Sequence, residues 1–358
     1  MSRRRILITG ITGQDGSILA KQMLDEGYEV VGAYRRISSP NFWRLNYYGI
    51  SQKIKLIPMD ITDLASVMNA IKTVKPETVY NLAAQSYVLA SFDQPLATAE
   101  ATGISVLNIL EAVLRINKRI KIYNASTSEM FGNGKSNGTY DESSPFHPAS
   151  PYAAAKTYGY WMSRIYRDSY GIFISNGILF NHESEVRGLE FVTRKISNEV
   201  AKIKHKLSDK LILGNLSASR DWGYAPEYTK AMKLIMDLEE PDDFVVATNE
   251  VHTVEKFSRT AFKYADLSYD DHISTSTRFL RPKDVDYLKG SYSKINRKTG
   301  WKPSVKFDQL VKIMVDADMK RWNSLKKGIM TPTDALFYEE NVYNFIDMKQ
   351  RGTHDSDL

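Results

Sequence analysis

The sequence predicts an α/β protein: a doubly wound parallel sheet with a smaller, discontinuous α/β lobe. Three observations predict it. Short apolar runs ending in glycine or small residues alternate with segments of helical period through the first half of the chain. The glycine triplet Gly10-Ile-Thr-Gly13-Gln-Asp-Gly16 falls between the first such run and the first helical pattern. After about residue 181 the character changes, and basic and polar segments interrupt the alternation.

Arg5-Ile-Leu-Ile-Thr-Gly10 reads as a buried strand, short and apolar. The glycines after it let the backbone approach a pyrophosphate, and the following helix offers free N–H groups at its N-terminus. Gly10, Thr12, Gly13, Gln14, Asp15 and Gly16 are therefore candidate contacts to a dinucleotide. That helix turns Leu19, Ala20, Met23 and Leu24 inward. The second strand, residues 28–34, ends on Arg35-Arg36. An NAD enzyme carries Asp or Glu here, about 20 residues past the glycines, for the ribose 2′-hydroxyl. Two arginines favour a 2′-phosphate and hence NADP, unless they are simply solvated at the strand end. Residues 55–59 form a third strand ending at Asp60-Ile61, positions suited to the adenine. Leu64, Val67, Met68 and Ile71 mark the next helix. Residues 78–84 are the fourth strand, where small Leu82-Ala83-Ala84 allow the cofactor close. Leu96, Ala99, Gly103, Val106, Leu107 and Leu110 then define one helix face.

The fifth strand, residues 121–126, runs into Thr127-Ser128-Glu129. These lie at the carboxyl end of a strand, where open α/β sheets bind ligands. A loop leads to Ser150-Pro-Tyr152-Ala-Ala-Ala-Lys156. Pro suits a first helical position and Ala costs least inside, so a helix starts here. Tyr152 and Lys156 are four apart and share a face. A nearby ammonium favours the phenolate, so Tyr152 is a candidate acid or base. A plain exposed face is the alternative, because Tyr-x3-Lys is a short pattern. Residues 171–180 are a further apolar strand. The polar loop 214–222 follows a basic helix, and residues 225–238 and 244–248 read as a helix and strand returning to the sheet. The expected division is 1–180 plus about 222–251 for the cofactor, about 181–221 plus 252–323 for the second lobe, and a tail over 324–358. Residues 307–322 are an amphipathic helix.

Composition excludes several classes. With no cysteine there is no disulfide, thiol nucleophile or Cys-ligated metal, and the histidines lack metal-ligand spacing. At 42% apolar and 25% charged residues this is an ordinary soluble composition. No run reads as long enough to cross a membrane, and no signal-peptide cleavage site is legible, so a cytoplasmic protein is expected. The net charge of +6 suits an anionic substrate or a nucleic acid equally. No nucleic-acid recognition motif is legible, which favours the small anion.

Taken together, Thr9-Gly-Ile-Thr-Gly-Gln-Asp-Gly16, Tyr80-Asn-Leu-Ala-Ala-Gln-Ser86, Ala125-Ser-Thr-Ser-Glu129, Ser150-Pro-Tyr-Ala-Ala-Ala-Lys156, Phe191-Val-Thr-Arg-Lys-Ile196, Arg220-Asp-Trp-Gly223 and Gly300-Trp-Lys-Pro303 resemble the extended short-chain dehydrogenase/reductase family. Within it they are similar to the GDP-sugar 4,6-dehydratases. The resemblance runs from about Arg5 to Ala317. It implies a redox-neutral lyase with tightly held NADP, acting on GDP-mannose or, one carbon longer at C6, on a GDP-manno-heptose. Another nucleotide-sugar epimerase or reductase of the family is a further alternative. By the resemblance Tyr152 takes the 4-hydroxyl proton, Lys156 binds the nicotinamide ribose, Thr127 holds the 4-oxygen, and Glu129 serves C5 and the departing 6-hydroxyl. It implies His182 and Arg187 as further cofactor contacts. It implies Ser86, Asn181, Val192, Lys195, Gly214, Arg220 and Arg281 as substrate contacts. The sequence departs from the family at Ile37-Ser-Ser-Pro-Asn41-Phe42-Trp43-Arg44 and at Tyr87, where the family has His. Phe42 and Trp43 are large apolar groups in a loop, so residues 36–48 are expected to reach a partner in a homo-oligomer, a dimer or tetramer.

Overall fold

The computed structural model describes residues 4–38, 41–134, 138–279, 283–327 and 329. The expected aromatic tail, with Phe337, Tyr338, Tyr343 and Phe345, lies outside the described residues, as does Arg281. Among the described residues, seven strands pair into one parallel sheet. They are β1 (Arg5–Thr9), β2 (Glu29–Tyr34), β3 (Lys55–Pro58), β4 (Thr78–Asn81), β5 (Lys121–Thr127), β6 (Ile174–Leu179) and the Asp243–Val246 strand. Their spatial order begins at Asp243–Val246 and runs β6, β5, β4, β1, β2, β3. The order reverses between β1 and β4, so a crevice opens at their carboxyl ends. The doubly wound reading holds, including the return of Asp243–Val246 beside β6.

Each face of the sheet buries its own apolar layer. Helix α1 (Gln14–Asp25) and the Ala225–Met236 helix cover one side, with Leu19, Met23, Met232 and Ile235 against Ile6, Ile8 and Phe244. The Leu64–Val74 and Ser105–Ile116 helices cover the other, through Val67, Ile71, Ile109 and Val113. A separate core forms where the Val192–Lys204, Val254–Tyr264 and Phe307–Lys326 helices meet, around Phe257, Phe262 and Met314.

A polar ladder crosses the sheet beneath the crevice. Thr9, Asn81, Asn124, Asn176 and Asp243 sit in register on five adjacent strands. Each asparagine donates to the next residue outward: Asn81 to Asn124 at 3.1 Å, Asn124 to Asn176 at 2.9 Å, and Asn176 to Asp243 at 2.8 Å. Arg167 closes the row with two 3.0 Å bonds to the Asp243 carboxylate. At the other end Thr9 donates to Asn81, and its hydroxyl accepts from the N–H groups of Leu82 and Ala83. These buried polar groups are thus satisfied, and the loop after β4 is pinned.

Three expectations are corrected. Leu96 and Ala99 do not face inward: Leu96 is 80% exposed. The segment is not one regular helix. A five-residue π turn, Glu100–Ile104, separates Pro95–Ala99 from Ser105–Ile116. Its i→i+5 bonding adds about a residue per turn and rotates the buried face, so Thr98 and Thr102 are buried along with the expected Gly103, Val106 and Leu110. Second, Phe42 and Trp43 are not free apolar groups in a loop: Trp43 opens the short Trp43–Tyr47 helix, and both pack against the chain itself. Trp43 is buried against Ile18, Val186 and Ala225, and Phe42 packs edge-on against Tyr34 at 5.2 Å. Third, the continuous run Pro95–Ile116 is long and apolar enough to cross a membrane, though half of it is buried in the fold. Its packing against the Pro151–Tyr170 helix makes it a core helix.

Candidate active site

The crevice is a cavity of about 610 Å³. Gly10, Thr12, Gly13, Gln14, Asp15 and Gly16 wall it from the first strand-to-helix turn. Gly10 has φ +67°, and a Cβ there would lie 2.9 Å from the Ala83 nitrogen. A Cβ on Gly16 would lie 2.3 Å from the Gly10 oxygen, so the helix sits against the loop as closely as bare backbone permits. Gly13 precedes α1 without a side-chain cap, which leaves the helix's first N–H groups open toward the cavity. These features fit the diphosphate of a dinucleotide.

Gln14 and Asp15 are held from across the crevice. Gln14 donates to the His182 carbonyl at 3.1 Å and accepts from Ser184 at 2.8 Å. The His182 ring bonds Asp15 at 2.8 Å through Nε2 and the Phe180 carbonyl at 2.7 Å through Nδ1. Both partners accept, so the ring is a double donor. Burial opposes that charge, but Asp15 outweighs it and raises the His182 pKa. Burial likewise pushes Asp15 up, and His182 more than reverses it. His182 thus clamps the phosphate loop from behind.

At the far end Arg35, Asp60 and Ile61 line the cavity, as do Leu82, Ala83, Ala84 and Ser86. The Asp60 carboxyl lies below its usual range, chiefly because Thr62 donates to it, with Arg35 adding to the effect. Arg36 is exposed and stands off the cavity wall.

The chemistry-bearing residues come together at the centre. Ser150 caps its helix through a 3.1 Å bond from Ala153, and Pro151 takes the first turn. That fixes Tyr152 and Lys156 on one face, both buried on the cavity wall. β5 ends at Thr127, whose hydroxyl accepts from the Glu129 N–H at 3.3 Å and hydrogen-bonds Tyr152. Glu129, on the following turn, is 8% exposed and lines the same wall. Burial pushes Tyr152 well above its ordinary value, and the Thr127 bond only partly offsets this. Lys156 is itself lowered to about 8 by burial, and its ammonium donates to the Ala125 carbonyl at 2.7 Å. It lies 5.9 Å from the Tyr152 ring centre.

Asn181 and Arg187 also line the cavity, whereas Val192, Lys195, Gly214 and Arg220 do not. Lys195 and Gly214 gather instead around Phe279. The Lys195 ammonium stands 3.5 Å over the Phe279 ring, and a Cβ on Gly214 would meet the Phe279 carbonyl at 2.7 Å. Arg220 is buried and paired with Asp284 at 3.1 Å. The sequence reading missed Phe279, although its place in Arg278-Phe-Leu-Arg281-Pro282, between two arginines, was a signal. It also missed Phe191, which lines the cavity beneath the Arg187 guanidinium at 3.5 Å and meets Tyr87 edge-on.

A glycine-lined phosphate turn at a sheet's switch point, beside a buried Tyr-x3-Lys pair, defines a nicotinamide-dinucleotide enzyme of the extended short-chain dehydrogenase/reductase class. The fold is shared with UDP-glucose 4-epimerase of Thermus thermophilus in complex with NAD (TM-score 0.77, 24% identity, 88% of this chain and 98% of that one). It is shared too with dTDP-glucose 4,6-dehydratase of Bacillus anthracis in complex with NAD (TM-score 0.78, 19% identity, 89% and 98%). Residues 7–314 match the family model for GDP-mannose 4,6 dehydratase. The chain is 47% identical to GDP-mannose 4,6 dehydratase 1 of Arabidopsis thaliana over 328 residues, covering 89% of this chain and 90% of that one. It is 43% identical to the human GDP-mannose 4,6 dehydratase over 343 residues, covering 89% and 92%. The chain belongs to the GDP-mannose 4,6-dehydratase family.

Proposed function

We infer that the protein is a GDP-mannose 4,6-dehydratase, a hydro-lyase that forms GDP-4-keto-6-deoxymannose and water. The observation that carries the residue roles is the placement of Thr127, Glu129 and Tyr152 on one buried wall, with Tyr152 bonded to Thr127. Tyr152 takes the proton of the sugar 4-hydroxyl, and Thr127 holds the 4-oxygen. The 4-ketone acidifies the C5 proton. Glu129 removes it and then protonates the 6-hydroxyl, which leaves as water. A bound nicotinamide would supply the hydride acceptor at C4 and the donor at C6, and a proton returned to C5, matching the one Tyr152 took, leaves the net reaction redox-neutral. Lys156, near 8, stands between charged and neutral at working pH and stabilises the phenolate when protonated.

NADP is the favoured cofactor, since Arg35 on the cavity wall suits a 2′-phosphate. Lys195, Gly214 and Arg220, with Phe279 between the first two, are favoured for the GDP moiety, because cations match the diphosphate and an aromatic face suits a base. The residues 181–221 plus 252–323 then serve as the sugar-nucleotide lobe. A homo-oligomer is favoured, with a second candidate surface besides residues 36–48. Leu96, Ile104, Tyr158, Trp161 and Ile165 are exposed on the packed Pro95–Ile116 and Pro151–Tyr170 helices. Incubation with GDP-mannose and with GDP-manno-heptose, followed by mass spectrometry, tests the function. Loss of one water from GDP-mannose is expected. Turnover of the heptose alone, or epimerisation without water loss, overturns the reading.

A further inference from the structure

A second cavity of about 460 Å³ opens at the opposite, amino-terminal end of the sheet. It shares no residue with the cavity described above. Arg4 and Ile6 at the start of β1, Glu77 and Thr78 at the start of β4, and Lys121 at the start of β5 form one side. Lys75, Arg119, Tyr28 and the end of the Ala225–Met236 helix complete it.

Its charges are unbalanced. The Arg4 and Arg119 guanidinium groups and the Lys75 ammonium make no ion pair among the described residues. Lys121 donates to the carbonyls of Met236 and Leu238. Of the two carboxylates on the wall, Asp237 is already paired with Lys233 at 2.7 Å, which leaves Glu77. Arg4, Lys75 and Arg119 are exposed cations on one cavity rim, so their potentials add toward an anion that enters it. The floor gives an independent sign. Tyr80 is 2% exposed, lines the cavity, and its hydroxyl has no hydrogen-bond partner among the described residues. The hydroxyl opens on the cavity rather than lying sealed in the core, so it can donate to an acceptor there. Burial pushes its pKa well up, so it stays a neutral donor. Beside it the Tyr28 ring holds the Arg4 guanidinium 4.5 Å over its face, which positions that cation at the cavity.

We propose that this cavity binds a phosphate-bearing molecule of nucleotide size, with Arg4, Lys75 and Arg119 taking the phosphate and Tyr80 donating to the body of the ligand. The volume of about 460 Å³ exceeds what a bare phosphate fills, which leaves room for a nucleoside beside it. The test is calorimetric titration of the holoenzyme with 5′-AMP, after the main cavity has been filled with NADP and GDP. Inorganic phosphate and adenosine are titrated in parallel. AMP is expected to bind more tightly than either. The variants Lys75→Glu and Arg119→Glu should each weaken AMP by about tenfold or more, and Tyr80→Phe by roughly two- to tenfold. Neither charge reversal touches the main cavity, so turnover without AMP should stay at the wild-type rate. No heat with AMP up to about 10 mM, weaker than any useful affinity, overturns the proposal. So does AMP binding that both charge reversals leave unchanged.

Discussion

Lys156→Met should make the nucleotide-free protein more stable at neutral pH while abolishing turnover. Burial holds the Lys156 pKa at about 8 in the folded chain against 10.5 in the unfolded one. Below pH 8 the native state therefore carries a charge it disfavours. The displacement corresponds to about 3 kcal/mol of destabilisation, at about 1.4 kcal/mol per pH unit. Methionine fills the space without charge, but it leaves the Ala125 carbonyl without the donor it has at 2.7 Å. That loss offsets about 1–2 kcal/mol, so the net gain at pH 7 is about 1–2 kcal/mol. The sign with pH is fixed. Between about 8 and 10.5 the unfolded chain binds more protons than the native one, so wild-type stability rises with pH across that window. The variant has no such rise, so its advantage should vanish and then reverse toward pH 10.5. Denaturant unfolding of both proteins across that range measures this, and other titrations cancel in the difference. A wild type already more stable at pH 7, or a difference independent of pH, would refute the reasoning.

Three further outcomes follow from other parts of the fold. Arg167→Leu leaves the buried Asp243 carboxylate without its two-bond partner and should cost about 3–5 kcal/mol by denaturant unfolding, and a loss under about 1 kcal/mol would mean the ladder's end is not held by charge. Gly16→Ala places a Cβ 2.3 Å from the Gly10 oxygen, so the phosphate loop must shift and dinucleotide affinity by calorimetry should fall at least about tenfold. Arg35→Asp should weaken NADP by about tenfold or more and improve NAD. A wild type that purifies with NAD and ignores NADP contradicts the cofactor assignment.

Much of the sheet was legible because its strands are short apolar runs with clear ends, and because the glycine turn has a mechanical reason for each bare backbone contact. The start of the helix face over 96–110 was not, since a π turn leaves no mark in composition and displaces Leu96 and Ala99 from the buried side while Gly103, Val106 and Leu110 keep to it. Phe42 and Trp43 showed that apolar loop residues on a single chain have two destinations, and here Trp43 went inward. The polar ladder was invisible for a different reason. Asn81, Asn124 and Asn176 each look like a flaw in an apolar strand until the register sets them side by side. Tyr152 and Lys156 stood out through their four-residue spacing, whereas burial, which raises the phenol and lowers the ammonium, is not written in a spacing. Lys195, Gly214 and Arg220 came from resemblance, and their gathering around Phe279 and Asp284 depends on tertiary contacts between distant segments.

The central claim is that one carboxylate, Glu129, serves both C5 and the 6-hydroxyl while Tyr152 serves the 4-hydroxyl. Glu129→Gln isolates it, because glutamine nearly preserves size and hydrogen bonding but moves no proton. The measurement is a stopped-flow experiment with GDP-mannose that records reduced-nicotinamide absorbance and 6-deoxy product together. Loss of a general acid/base lowers a rate by about 10²–10⁴-fold, so product formation should fall by that factor. The absorbance should still rise and persist, since the Tyr152 half of the reaction is intact. Near-normal product formation by Glu129→Gln, or no absorbance change at all, would contradict the account.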